Sequence, residues 1–178
     1  MRNFKTLAAL ATAAASLAAA PAALAQTRTV GNAAGSPTMN ICVASIDCTY
    51  VNYKHGKPTD VVKRTGTLTD WSLNAGSISG QVQLRILRRI GGGHFKVIRS
   101  SAVETVTATG VNTFSAHLRV KRGDVLALSN DTSGIYMATA PTGTCVRYFS
   151  GPLSDGASMT PDQISPQLHL LVSAHVKS

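Results

Sequence analysis

The sequence predicts an all-β protein, an antiparallel β-sandwich of jelly-roll-like form with nine or ten short strands. Three observations predict it. Apolar and polar residues alternate at period two through most of the chain, the spacing of strands with one buried face. Clusters of Gly, Ser and Pro punctuate these runs at near-even intervals, as turns do between short strands. No segment carries apolar residues at the 3.6-residue spacing of a long amphipathic helix.

The first 25 residues stand outside this pattern. Arg2 and Lys5 form a positive start, an Ala- and Leu-rich run follows from Leu7 to Ala20, and Ala23 and Ala25 are small residues before a cut. Residues 1–25 therefore read as a secretory signal peptide, with a mature chain beginning at Gln26 and a secreted, extracellular location. No second long apolar run follows, so no membrane span is predicted. Residues 26–39, QTRTVGNAAGSPTM, are small and polar and read as a flexible N-terminal lead-in. Residues 40–178 read as a single sandwich domain, without linker or internal repeat. A mature chain of this length buries roughly 70% of its unfolded surface, enough for one core.

Along that domain, GTLTDWSL places Trp71 with Leu73 on one face and Asp70 with Ser72 on the other. The alternation makes Trp71 a core residue rather than an exposed platform for a ligand. In SGQVQLRILRR, Val82, Leu84 and Ile86 share a face, while Gln83, Arg85, Leu87 and Arg89 share the opposite one, with Leu87 a lapse in the polar row. The GGG at 91–93 is a hairpin loop. In NTFSAHLRV, Phe114, Ala116, Leu118 and Val120 point inward. KRGD follows as a turn in which Gly123 takes positive φ. SNDTSG and APTG are further turns, and 151–166 is the longest irregular piece. LHLLVSAHV closes the domain with Leu168, Leu170, Val172, Ala174 and Val176 inward, and with His169 and His175 on the solvent side.

Cysteine and charge bound the chemistry. Cys42 and Cys48 lie close enough to close a small disulfide loop, which export favours. Such a bridge contributes about 2–3 kcal/mol in the chain-entropy view. Cys145 is left over as a small apolar strand residue. Loss of Arg2 and Lys5 takes the 17 basic residues to 15 against 8 acidic ones, a net charge of +7. That balance suits acidic partners such as anionic cell-surface polymers.

Site motifs fail one by one. GSISG at 76–80 has Ile78 where a nucleophile elbow needs serine. The GGG loop precedes no helix that could receive a phosphate. No H-x-H or HExxH pairs two of the five histidines for zinc, and His117 stands outward alone. Glu104 is the one glutamate among eight acids, and Asp60, Asp124, Asp131, Asp155 and Asp162 fall in turns or near strand ends. SNDTSG and PLSDGAS lack the closely spaced carboxylates of a calcium loop. No catalytic residue, metal or cofactor is predicted, and the protein reads as a non-enzyme. The weak binding candidates are Arg85 and Arg89 on one strand face, with Lys96 across the hairpin. Nucleic acid is not expected, because exposed aromatics do not interleave with these cations. They read as the wet face of a sheet. Tyr50, Tyr53, Tyr136 and Tyr148 are the candidates for exposed ring contacts.

The order CTYV, GTLTDWSL, VQLRILR, FKVIRSSAVETV, GVNTFSAHLRVKRGDVLAL and VRYFSGPLSDG resembles a family of small, secreted, functionally uncharacterised β-sandwich proteins of high-GC bacteria. The resemblance covers nearly all of residues 42–176 and implies the fold and export. No site residue is carried over from it, and Cys145 departs from its pattern. The expected function is that of a secreted, non-enzymatic sandwich that meets the cell surface or anionic exported molecules. A carbohydrate-binding module is one alternative. A hydrolase with a site assembled from scattered residues is another.

Overall fold

The computed structural model describes residues 25–39, 48–77, 79–130, 134, 136–140, 144–150, 153–160 and 163–178, with backbone alone at Ser79, 145–150 and Met159. Among these the chain is all β. The strands are β1 (Thr27–Asn32), β2 (Cys48–Lys54), β3 (Lys57–Pro58), β4 (Gly66–Ala75), β5 (Ser79–Gly91), β6 (His94–Ser100), β7 (Glu104–Val106) and β8 (Gly110–Val120). There follow β9 (Val125–Asn130), β10 (Met137–Thr139), β11 (Thr144–Ser150), β12 (Ser158–Met159), β13 (Gln163–Pro166), β14 (Leu168–Leu170) and β15 (Val172–Lys177).

Two antiparallel sheets form the sandwich. One is four-stranded in the order β1-β15-β4-β8; the other has nine strands along β12-β6-β5-β9-β2-β11-β13, with β3 beside β2 and β7 beside β5. A two-stranded pair, β10-β14, completes it. The count exceeds the expected nine or ten because several strands are only two to four residues long. The period of two cannot resolve pieces so short. The run LHLLVSAHV divides at Leu171 because β14 pairs with β10, while β15 pairs with β1 and β4.

Residues 26–39 are not wholly a loose lead-in. Thr27 to Asn32 form an edge strand in register with β15, from Thr27↔Lys177 to Asn32↔Val172. Only Val30 of this strand is buried, so its sequence carries no alternation to read. The expected irregular piece at 151–166 also contains β12 and β13.

The main core lies between the sheets. Leu68, Trp71 and Leu73 of β4 and Val172, Ala174 and Val176 of β15 meet Leu84, Ile86, Leu126, Leu128 and Tyr50 from the larger sheet. Phe114, Ala116 and Leu118 of the edge strand β8 pack against it and are half-buried. A second cluster explains Leu87. It joins Val51, Tyr53, Phe95, Val97, Val125, Ala127 and Leu153 on the far face of the larger sheet. Every residue of β9 is therefore buried. The β5–β6 ladder passes from Ile86↔Arg99 to Leu87↔Val97, which leaves Ile98 unpaired. This bulge turns Ile98 onto the main core while Phe95 and Val97 stay in the second cluster.

Candidate functional site

Four cations line a groove where the two sheets meet at one end. The start of β4, the end of β8 and facing parts of β5 and β6 enclose this groove of about 460 Å³, lined by Thr65, Gly66, Thr67, Arg88, Ile98, Arg99, Arg119, Val120 and Lys121. Asp124 is the carboxylate beside it, and it is fully buried and already occupied. Arg88 grips it with two bonds, Nε to Oδ1 at 2.8 Å and a terminal nitrogen to Oδ2 at 3.0 Å. The Lys121 backbone N–H also donates to it, at 2.7 Å. This paired geometry fixes the Arg88 fork. Arg99, Arg119 and Lys121 are exposed and make no side-chain hydrogen bond or ion pair among the described residues. Thr65 also accepts the Arg122 N–H at 3.2 Å, and beside it Arg28, Lys63 and Arg64 line a smaller cavity of about 90 Å³.

The residues expected from the sequence fall elsewhere. Arg85 is not a free surface cation. It is half-buried and donates to Ser129 at 3.1 Å and to Ser100 at 2.6 Å. Ser129 in turn meets Thr49 at 2.7 Å, and Ser100 donates to Asp155 at 2.6 Å. Arg85 thus belongs to a polar chain that fastens the 153–157 segment to the sheet. Arg89 is exposed. Lys96 pairs in register with Arg88, on the face opposite Arg85 and Arg89, so the three do not form one surface. The sequence missed Arg99, Arg119 and Lys121 because they come from separate strand ends. Outward alternation marks Arg119 as exposed and says nothing of its neighbours.

Tyr50, Tyr53 and Tyr136 are buried, at 0%, 3% and 1% exposure, and cannot offer exposed rings. Tyr53 instead meets Phe95 edge-on at 6.2 Å within the second cluster. The side chain of Tyr148 lies outside the described residues. Trp71 is fully buried, as the alternation requires. Cys48 is buried and disulfide-bonded. Cys42 and the Cys145 side chain lie outside the described residues.

A second polar cluster involves His169. The residue is half-buried, not on the solvent face expected for it, whereas His175 is exposed and bonded to Asp70 at 2.5 Å. Asn52 Nδ2 donates to Asp60 Oδ2 at 2.7 Å and to the Leu170 carbonyl at 2.9 Å, while its Oδ1 accepts the Leu170 N–H at 2.7 Å. Burial raises the Asp60 carboxyl above its ordinary value of 3.8. Hydrogen bonds from Asn52 and Thr59 and the charge of His169 oppose that rise. No group of three or more His, Cys, Asp or Glu among the described residues could hold a metal ion.

No protein-family model, curated protein or solved structure matches the chain. The fold defines an all-β, sandwich-like protein. No helix among the described residues is long and apolar enough to cross a membrane.

Proposed function

We propose that the chain is a secreted, non-enzymatic β-sandwich protein that binds an acidic polymer at the cell surface. One observation carries this reading: Arg88, Arg99, Arg119 and Lys121 converge on a groove whose neighbouring carboxylate is spent on Arg88. Cations concentrated without counter-charge raise the local concentration of polyanions and speed their capture. The signal-peptide pattern of residues 1–25 and the resemblance to secreted sandwich proteins support a polymer outside the cell as the partner.

The alternatives have less support. A carbohydrate-binding module that stacks sugars on an aromatic platform needs exposed rings, and none of the described Phe, Tyr or Trp side chains is exposed. A hydrolase needs nucleophile, base and orienting acid in series. His175 meets Asp70, but the Thr69 hydroxyl donates to that carboxylate and not to the imidazole, and His94 meets Thr160 with no acid bonded to its ring among the described residues.

The disulfide joins Cys42 to Cys48 in this reading. Register sets Cys145 opposite Tyr53, five residues along β2 from Cys48. That is roughly 17 Å of strand, beyond the reach of a disulfide. Thiol titration of the unfolded, unreduced protein should find one free thiol; three would remove the bridge.

Retention on isolated cell wall and on immobilised polyphosphate tests the binding. Capture at low salt, release at high salt and loss in Arg119→Ala/Lys121→Ala are expected. Capture that ignores salt, or none at all, would refute it.

A further inference from the structure

A second cleft, remote in chemistry from the basic groove, lies beneath the segment that follows β1. It measures about 460 Å³ and is lined by Asn32, Ala34, Gly35, Ser36, Thr38, Ala138, Thr139, Ala140, Thr144, His169 and Leu171. That volume is within the usual range of small-molecule sites. Its walls are held from behind. Asn74 Nδ2 bonds the Gly35 carbonyl at 2.8 Å. Gly35 has φ of 132°, and a Cβ there would stand 3.1 Å from Leu171, so the segment lies close on that side chain. On the opposite wall, Asn52 clamps both backbone groups of Leu170, next to His169. A binding wall set by such bonds is pre-organised.

The lining has a definite chemical character. Among the described residues it contains no Asp, Glu, Lys or Arg. The hydroxyls of Ser36, Thr38, Thr139 and Thr144 can each donate and accept. Asn32 Oδ1 is taken by the Ala34 N–H at 2.9 Å, which leaves its Nδ2 as a donor. His169 Nε2 is buried and has no partner. The ring lines the cleft, so the imidazole can offer a nitrogen to a visitor. Leu171 and three alanines supply an apolar wall. An ionic guest would lose its hydration here with no Asp, Glu, Lys or Arg of the described lining to compensate it. A neutral guest rich in hydroxyls would exchange water bonds for protein bonds at little loss.

We infer that this cleft is a binding site for a small, uncharged, polyhydroxylated molecule about the size of one sugar ring, anchored on His169. The site is separate from the basic groove and takes a ligand of opposite character.

The test is an NMR titration of the mature protein with glucose, N-acetylglucosamine and glucuronic acid. Shifts should be confined to amides of 32–38, 138–140 and His169 for the two neutral sugars, with glucuronic acid binding more weakly. His169→Gln and the exposed-site variant Thr38→Val should each weaken binding, by about tenfold where one well-placed hydrogen bond is lost. Arg119→Ala/Lys121→Ala should bind the sugars as the parent does, which separates this site from the groove. Thr38→Val serves even if His169→Gln fails to fold. No shifts with the neutral sugars, shifts mapped elsewhere, or preference for glucuronic acid would each overturn the inference.

Discussion

Trp71 meets Phe114 with ring centroids 4.7 Å apart and has no exposed surface, yet its indole nitrogen finds no partner. Trp71→Ala should therefore cost about 3–5 kcal/mol in denaturant melts, as for other buried aromatics. Trp71→Phe should cost far less, because removal of an unsatisfied N–H offsets part of the lost packing. A stable Trp71→Ala protein would contradict the core assignment. Asp60 gives a pH-dependent counterpart. Its folded-state pKa is raised above the ordinary 3.8, chiefly by burial. The folded state thus holds this proton more tightly than the unfolded one. The resulting stability is fully present below the unfolded value and is lost as pH rises through the folded value. Asp60→Asn keeps an acceptor for Asn52 and cannot titrate. Relative to that variant, the parent should lose stability as pH climbs above about 3.8. A difference that does not change with pH would contradict the shift.

Strand β5 shows how far alternation reads and where it stops. Its inward row, Val82, Leu84 and Ile86, is buried as the spacing requires. The outward row is not simply wet. Leu87 is buried in the second cluster, and Arg85 lies in the chain from Thr49 to Asp155. Arg85→Ala should cost about 1–3 kcal/mol, the range for hydrogen bonds to a charged group whose partners remain. Arg89→Ala, at an exposed position, should stay within roughly 0.5 kcal/mol. Paired melts check both, and equal small effects would return Arg85 to the surface. Leu87 was the one visible sign in the sequence that a second layer covers this face. What covers it, the segment carrying Leu153 and Ala157, is distant in sequence and has no period of its own. For the same reason β1, with one buried residue, was illegible, whereas β8 and β15, with repeated inward residues, were read correctly. The candidate site was less legible than the fold. Arg99, Arg119 and Lys121 become neighbours only through the packing of one sheet on the other, and His169 becomes a cleft residue only because β14 leaves β15 at Leu171.

At the scale of the whole molecule, charge is placed unevenly. The described carboxylates are mostly spent: Asp124 on Arg88, Asp70 on His175, Asp155 on Ser100, and Asp60 buried behind Asn52. Arg99, Arg119 and Lys121 at the groove end have no such partners among the described residues, and that asymmetry is what a polyanion would meet. The most direct measurement is the salt dependence of polyphosphate affinity for the mature protein and for Arg99→Ala/Arg119→Ala/Lys121→Ala. Each cation that displaces counterions contributes on the order of one to the slope of log affinity against log salt. The account expects a steep negative slope for the parent, a slope shallower by about three for the triple variant, and unchanged melting of a protein altered only at its surface. A triple variant that binds with the parent's affinity and slope would contradict the groove as the binding surface.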